Sequence, residues 1–230
     1  MAATRPEPPK SCSHCPRLAD FLDQQRQTEP SWWNAPVPSF EPVGGAAATR
    51  LLIVGLAPGL KGANRTGSPF TGDYAGELLY ATLHEFGFSS GQFDARADDG
   101  LKLNDCMITN AVRCVPPQNK PTTAEINNCR PFLIARMASL ANLQAVALLG
   151  RIAHDTTLRT LGARLKDHPF GHGAIHRLHT RDALPLAEFD GLTLFDSYHC
   201  SRYNTNTGRL TNDMFRSVFR SIREHIGPAD

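Results

Sequence analysis

The chain has 230 residues, of which 41% are hydrophobic and 20% are charged, so it suits one globular domain with a substantial core. The formal net charge is only +2, which excludes a chain that binds nucleic acid through its overall charge. No apolar run reaches the roughly 20 residues of a membrane span, and the N-terminus lacks the apolar segment of a secretory signal. We therefore expect a cytoplasmic protein in which residues 1–11 form a disordered lead and residues 12–230 form a single domain.

The hydrophobic pattern predicts strands and helices that alternate along the chain. A short helix is predicted over residues 16–27, followed by a loop-like segment over 31–48. Four apolar runs are predicted as strands: 51–56, 106–112, 145–149 and 192–198. Apolar residues at three- and four-residue spacing after residue 74 and after residue 210 indicate amphipathic helices. This alternation favours an α/β fold, with a mostly parallel sheet and helices on both faces.

The first predicted strand leads into a long glycine-rich loop, GLAPGLKGANRTGSPFTGD, at residues 55–73. Loops at the carboxyl ends of strands are where α/β folds bind their ligands. Phe70 in this polar loop either stacks on a nucleobase or anchors the loop to the core. Asp73 either caps the next helix or orients a water molecule. The loop is therefore a candidate ligand site.

Two further polar residues lie at the carboxyl ends of predicted strands: Asn110 ends the apolar run that begins at residue 106, and His199 follows the last predicted strand. Asn110 presents a donor and an acceptor, as reading a base edge requires, but it also suits a turn at a strand end. His199 can donate to an anionic leaving group, although chance placement of one of nine histidines is the alternative. Four other histidines fall in one short stretch, which we interpret as a surface hairpin rather than a metal site: His168, His172, His176 and His179.

Four of the six cysteines form two pairs. Cys12 and Cys15 form a CxxC motif, while Cys114 and Cys129 have fourteen residues between them. Disulfides are rare in a reducing cytosol, and thiolates suit zinc or iron–sulfur clusters. The residues alone leave three interpretations open, namely a zinc site, an iron–sulfur cluster and unrelated buried thiols.

Several common motifs are absent from the chain. The glycine-rich loop is not a phosphate-binding P-loop because Lys61 is followed by Gly62. There is also no dinucleotide-binding fingerprint after the first strand, no nucleophile elbow and no zinc deaminase signature.

Three segments in order resemble the family 5, or type B, uracil-DNA glycosylases. They are residues 55–73, TNAVRCVPPQNKPT at 109–122 and YHCSRYNTNTGRLT at 198–211. The four cysteines resemble the iron–sulfur ligands that this family shares with the family 4 enzymes. The resemblance extends from residue 12 to about residue 226, which is most of the chain.

The resemblance implies a three-layer αβα fold around a central parallel four-stranded sheet. It also implies a structural 4Fe–4S cluster with Cys12, Cys15, Cys114 and Cys129 as its ligands. The implied activity is that of a monofunctional, monomeric glycosylase that flips uracil, and other deaminated bases, out of double-stranded DNA and excises it.

The resemblance and the residue types together assign expected roles to individual residues. The expected catalytic residues are Asp73, His199 and Asn110. The expected base pocket contains Gly55, Leu56, Ala57, Gly59 and Phe70. The expected DNA contacts are Lys61, Arg65, Ser201, Arg202, Tyr203, Asn204 and Arg209.

The chain departs from the family pattern at two positions. The family's last motif usually reads His-Pro-Ser, and Cys200 replaces that proline, so we expect a looser loop and a thiol close to the site. Leu56 stands where family 4 enzymes carry an acidic residue, so Asp73 is the nearest acid that can activate water. These departures motivate two alternatives: a non-catalytic, metal-stabilised nucleic-acid-binding protein of the same fold, and a glycosylase for another base such as hypoxanthine.

Overall fold

The computed structural model describes residues 5–96, 99–179 and 189–228. Its strands are β1 (Leu51–Gly55), β2 (Ser89–Ser90), β3 (Lys102–Leu103), β4 (Cys106–Asn110), β5 (Ala145–Leu149), β6 (Ile175–Arg177) and β7 (Thr193–Ser197). Five of them form the central sheet in the order β4–β1–β5–β7–β6, and β2 pairs with β3 separately. The first four strands of the central sheet are parallel, while β6 is antiparallel to β7. The predicted parallel four-stranded sheet is confirmed, and a fifth, antiparallel strand extends one edge.

Helices cover both faces of this sheet. They are α1 (Pro16–Thr28), α2 (Ala63–Thr66), α3 (Tyr74–Glu85), α4 (Thr123–Ala138), α5 (Arg151–Leu161), α6 (Arg202–Asn206) and α7 (Asn212–Ile226). Successive residues of a strand point to opposite faces, and β1 shows the result. Leu51 and Ile53 join the cluster formed with α3 and α7, whereas Leu52 and Val54 join the cluster formed with α4 and α5. The three-layer αβα arrangement is thus confirmed, and burial on both faces explains why the strands are apolar throughout.

Short connections place helix N-termini at the carboxyl ends of the parallel strands. β5 is followed by Gly150, whose φ of 100° permits a sharp turn, and α5 begins at the next residue. The loop after β1 ends at Asp73, which caps α3. Because the strands are parallel, these connections meet at one edge of the sheet.

The segment before α1 differs from the expected disordered lead. Residues 1–4 lie outside the described residues, but Glu7 is bound to the body of the protein. Its carboxylate accepts from the backbone N–H of Ser39 at 3.2 Å and pairs with Arg136 at 2.5 Å and with Arg113. Both arginines are buried, and a buried guanidinium requires a carboxylate partner. Composition does not show this pairing because the partners are far apart in sequence.

The histidine-rich stretch is more than the expected surface hairpin. Its strand β6 brings His176 Nε2 to 3.2 Å from Asp196 Oδ2, and His154 Nδ1 lies 2.8 Å from Asp196 Oδ1. Burial acts to raise the pKa of Asp196, but hydrogen bonds from both rings hold it below its ordinary value. The ligand atoms of these three residues lie within 4.8 Å of one another, and these hydrogen bonds account for the arrangement without a metal ion.

Among the helices of the described residues, none is both long enough and apolar enough to cross a membrane.

Candidate active site

A cavity of about 750 Å³ opens at the carboxyl edge of the parallel strands. Leu56 follows β1, Asn110 ends β4, Leu149 ends β5, and His199 follows β7. This volume is in the range of small-molecule sites, and the position is the one that α/β sheets use for ligands.

Most of the residues expected at the site line this one cavity. They are Leu56, Ala57, Gly59, Lys61, Phe70, Asp73, Asn110, His199, Ser201 and Arg202. The other expected DNA contacts lie outside the lining: Arg65, Tyr203, Asn204 and Arg209. Gly55 lies directly behind the lining, between two of its side chains.

Phe70 forms one wall of the cavity in a constrained backbone conformation. Its φ is +56°, a conformation that costs a non-glycine residue about 1–3 kcal/mol. The Tyr80 hydroxyl holds the loop by donating to the Pro69 carbonyl at 2.7 Å. The ring is 7% exposed and belongs to the core cluster, yet it also lines the cavity. Phe70 therefore anchors the loop and also exposes part of its ring to the cavity.

Asn110 carries an amide that is free to bind a ligand. The residue is 4% exposed, and its side chain makes no hydrogen bond within the described residues. A polar group with so little access to solvent loses free energy unless it finds a partner. A cavity ligand with one donor and one acceptor is such a partner.

The close packing of Phe70 and Asn110 depends on a glycine. A Cβ atom on Gly55 would lie 2.4 Å from Asn110 Oδ1 and 2.8 Å from Phe70 Cζ. Only a residue without a side chain lets the ring and the amide share this wall of the cavity.

His199 lies against the ring of Phe70. The two rings are stacked, with centroids 5.9 Å apart and an angle of 23° between their planes. Burial lowers the pKa of His199 to about 4, so the imidazole is neutral at pH 7 and carries one N–H donor. The Asn204 amide donates to the His199 carbonyl at 2.8 Å and thereby holds the loop.

Cys200 lies beside the site, as expected, but its thiol is fully buried. Its Sγ donates at 3.4 Å to the carbonyl of Ala75, a residue of the cavity lining. Burial raises the pKa of this thiol, so it is not a reactive thiolate. Cys200, which replaces the family's proline, thus anchors the loop after β7 to α3. This contact does not support the expectation of a looser loop.

Asp73 caps α3, as one of its two interpretations predicts, and keeps its second carboxylate oxygen for the glycine-rich loop. Oδ1 accepts from the N–H of Gly76 at 3.3 Å and caps α3. Oδ2 faces the glycine-rich loop, where Cβ atoms on Gly59 and Gly62 would lie 3.1 and 2.6 Å from it. Burial raises the pKa of Asp73 above its ordinary value, while the N–H groups of Gly76 and Ala75 act in the opposite direction.

The cavity lining also contains residues that sequence reasoning missed. Asn119 and Arg151 both line it, and Arg151 adds to the positive charge of Lys61 and Arg202. Arg151 lies two residues after the end of β5, so the rule that selected Asn110 and His199 would also have found it. With Asp73 as the one carboxylate among the lining residues, the mouth suits a polyanion.

The four paired cysteines converge at a second place. Cys12, Cys15, Cys114 and Cys129 line one small pocket, which excludes the interpretation as unrelated thiols. The N–H of Arg113 donates to Cys129 Sγ at 3.3 Å, and the amide of Asn128 donates to Cys15 Sγ at 3.8 Å.

The four convergent sulfurs fit a metal centre, because thiolates are the ligands of both zinc ions and iron–sulfur clusters.

Comparison with known proteins agrees with this geometry. Residues 42–223 match the sequence model of the Uracil DNA glycosylase superfamily. The chain is 41% identical to the type-5 uracil-DNA glycosylase of Thermus thermophilus over 94% of both chains. It is 38% identical to the type-5 enzyme of Mycobacterium tuberculosis over 94% of this chain and 78% of that one. It is 35% identical to the type-5 enzyme of Pyrobaculum aerophilum, over 94% and 90%. The chain therefore belongs to the uracil-DNA glycosylase superfamily.

Proposed function

We propose that this protein is a monofunctional DNA glycosylase that removes uracil from double-stranded DNA. The observation that carries the proposal is the convergence, in one cavity, of a flat ring, an amide without a partner, a neutral histidine and a carboxylate. A glycosidic bond inside a duplex is out of reach, so the nucleotide must first be extruded into such a cavity.

The wall formed by Phe70 and Asn110 recognises the base. The ring stacks on the face of the flipped base, and the amide pairs with its edge through one donor and one acceptor. Backbone N–H groups of the loop at residues 55–59 bind the base carbonyls. The lack of a side chain at Gly55 keeps both groups close enough to bind one base.

His199 and Asp73 carry out cleavage of the glycosidic bond. The bond between the sugar C1′ and the base nitrogen breaks, and its electron pair leaves with the uracil. The N–H of the neutral imidazole donates to the base oxygen on which negative charge develops. The Asp73 carboxylate faces the electron-deficient sugar and accepts the proton of the water that attacks C1′.

The basic mouth of the cavity and the loop after β7 bind the DNA. Lys61, Arg151 and Arg202 line the mouth, and Arg65 and Arg209 are further candidates for phosphate contacts. Tyr203 is 72% exposed and is suited to fill the gap left by the flipped nucleotide. Ser201 and Asn204 shape this loop through the α6 cap and the bond to the His199 carbonyl.

The four converging cysteines support a structural 4Fe–4S cluster. When bound, the cluster would cross-link the chain start to the segments around Cys114 and Cys129. Arg113 and Asn128 would donate N–H bonds to its sulfur ligands. The cysteine pocket and the cavity share no lining residue, which supports a role in stability rather than in chemistry.

Three further features belong to the proposal. The enzyme is proposed to act as a monomer, as expected from the resemblance. The cavity is large enough to admit deaminated bases besides uracil. This function requires the compartment that holds DNA, namely the cytoplasm in the prediction above.

The test is release of free uracil from a duplex that contains one U·G pair. We expect free base and an intact strand, which breaks only after alkali, because Lys61, the one lysine that lines the cavity, is assigned to phosphate binding at its mouth and not to attack on the sugar. Strand cleavage without alkali would contradict the monofunctional assignment. Duplex affinity that does not change between low and moderate salt would contradict the assignment of the basic mouth to phosphates.

A further inference from the structure

The glycine-rich loop folds closely around Asp73. Cβ atoms on Gly59 and Gly62 would lie 3.1 and 2.6 Å from Asp73 Oδ2, so the backbone of the loop leaves little space beside this carboxylate. A backbone hydrogen bond from Gly62 to Gly59 at 3.2 Å closes this part of the loop. The position of the loop therefore decides how much water reaches the carboxylate.

A pair of buried asparagines holds the loop from outside the cavity. Asn64 belongs to α2, within the loop, and its backbone N–H donates to the Gly59 carbonyl at 3.0 Å. The Asn64 amide donates to Asn34 Oδ1 at 2.9 Å, and the Asn64 carbonyl accepts from the backbone N–H of Asn34 at 3.1 Å. Within the described residues, Asn34 is the one hydrogen-bond partner of the Asn64 side chain, whose Oδ1 has none.

Asn34 is in turn fixed to the end of α1. Its Nδ2 donates to the carbonyls of Glu29 at 2.7 Å and Gln25 at 3.2 Å, and its own carbonyl accepts from Arg26 Nε at 2.9 Å. Its φ is +45°, a conformation that asparagine tolerates better than most residues. Both amide donors and the amide oxygen are thus used, and one side chain links the helix end to the glycine-rich loop.

We propose that Asn34 is a positioning residue for base excision and that its contact with Asn64 holds the glycine-rich loop against Asp73. This inference rests on the proposed function. Both asparagines are at most 1% exposed, and neither is among the described residues that line the cavity. They therefore act through the loop and not by contact with DNA. The loop in turn limits the access of water to the carboxylate that is assigned to activate the attacking water molecule.

The pKa of Asp73 supports this inference and offers a readout. Burial raises this pKa, and the charge of Glu77 on α3 acts in the same direction. The other ionisable groups that interact with this carboxylate or line the same cavity are Tyr80, Cys200, Lys61, Arg151, His199 and Arg202. Of these groups only Lys61 lies in the glycine-rich loop, and withdrawal of its positive charge would raise the pKa of Asp73. A decrease in this pKa therefore reports loss of burial.

The test breaks the contact from each side. Asn34→Gly suits the φ of +45° and removes the amide. Asn64→Ala cuts the side-chain contact from the loop and leaves Asn34 bound to α1. Thr49→Val is the matched control, because Thr49 is fully buried, donates to the Gly45 carbonyl at 3.1 Å and precedes β1 at the edge of the sheet opposite the cavity. Urea denaturation of all three variants measures their loss of stability.

Single-turnover excision from a U·G duplex is then measured between pH 5 and 8. At pH 7 we expect a loss of about tenfold or more in Asn34→Gly and Asn64→Ala, and a change within about twofold in Thr49→Val. The acid limb of the pH profile should move to lower pH in the first two variants only. The double variant should lose no more than Asn34→Gly alone, because the two asparagines act as a unit.

A carbon-13 NMR titration of the Asp73 carboxyl group, without DNA, separates this inference from the proposed function. The signal is assigned by its loss in Asp73→Asn. A lower pKa in Asn34→Gly than in the wild type would support the inference even if no substrate is cleaved. An unchanged titration in folded Asn34→Gly, or equal rate losses in Asn34→Gly and Thr49→Val, would overturn it; if Asn34→Gly does not fold, Asn64→Ala is judged by the same criteria. Absence of any base release by the wild type would instead reject the proposed function.

Discussion

Gly55 controls how closely the ring and the amide of the base-binding wall approach each other. Its φ is not in the left-handed region, so its backbone accepts alanine, but the space around it does not. An added Cβ would meet Asn110 Oδ1 at 2.4 Å and Phe70 Cζ at 2.8 Å, so one of the two side chains must move.

Gly55→Ala should therefore reduce excision about a hundredfold or more, because a displacement of about 1 Å at a reacting site has that effect. Single-turnover rates on a U·G duplex measure the loss. Gly171→Ala is the control, since its Cβ would meet its nearest neighbour at an ordinary 3.8 Å. Unchanged excision by Gly55→Ala would show that this wall does not hold the base.

His199 and Asp73 set the expected pH dependence. Because burial lowers the pKa of His199 to about 4, the excision rate should show no inflection between pH 6 and 8. The rate should fall only on the acid side, as Asp73 becomes protonated at a pKa above its ordinary value. An inflection near pH 6.5 that disappears in His199→Gln would contradict the neutral imidazole.

The same shift links His199 to stability. The unfolded chain binds the proton near the ordinary pKa of 6.5, while the folded protein binds it only near 4. Between these values the unfolded state holds more protons, so the free energy of unfolding decreases as the pH falls through this window. Urea titrations at pH 7 and pH 5 should show a smaller loss for His199→Gln than for the wild type.

The sequence predicted which side chains belong to the candidate site, but it did not predict the contacts that surround them. The polar residues after β1, β4 and β7 were found because parallel strands end at one edge of the sheet. That Cys200 is buried was not visible, because the direction of a side chain in a loop depends on contacts with α3. The left-handed turn at Gln118 was equally hidden, since glutamine does not signal that conformation.

At the scale of elements, Asp196 joins three segments beneath the cavity. This residue of β7 bonds to His154 of α5 and His176 of β6, and its carboxylate also accepts from the N–H of Gly171 at 3.3 Å. His154 and Asp196 are almost completely buried. The start of α5 and the end of β7 both border the cavity, so this network positions two of its sides.

Asp196→Asn should lower the free energy of unfolding by about 3 kcal/mol, because it breaks a buried charged network from one side. Urea denaturation measures this value. Asp213→Asn is the control, since its carboxylate is 95% exposed and its ion pair with Arg216 is long, at 3.8 Å. Equal stability of Asp196→Asn and the control would contradict a structural role for the network.

The elements themselves were largely predictable. The four parallel strands are continuous apolar runs, and α3 and α7 show helical periodicity. The local hydrophobic pattern was therefore enough to predict these elements. Strand β6 was missed because its three residues, Ile175–Arg177, carry no apolar run and lie at the sheet edge. Its position depends on hydrogen bonds to β7, which are non-local.

At the scale of the whole molecule, the cysteines connect the chain start to the middle of the sequence. α1 packs through Leu18 and Leu22 against the segment that contains Val112 and Cys114. The CxxC motif predicted that metal chemistry occurs here, but not that Glu7 adds a second connection to two buried arginines.

Cys114→Ser should remove the brown colour and visible absorption that we expect of the purified protein and should expose the chain start to proteolysis. Absorption spectra, iron analysis and limited proteolysis measure these effects. Cys106→Ser is the control, because Cys106 is buried in a different core cluster from the four paired cysteines. Wild-type protein that contains zinc and no iron would contradict the cluster assignment.

The central claim is that this cavity excises uracil from DNA, and one experiment tests it most directly. Protein that retains its colour is incubated with matched duplexes that carry U·G, U·A, hypoxanthine·T or an undamaged pair, and abasic sites are revealed by alkali. We predict release of uracil from the U·G duplex, no release from the undamaged one, and loss of release in a variant that combines Asp73→Asn with His199→Gln. No release from any duplex, or full release by that variant, would contradict the account.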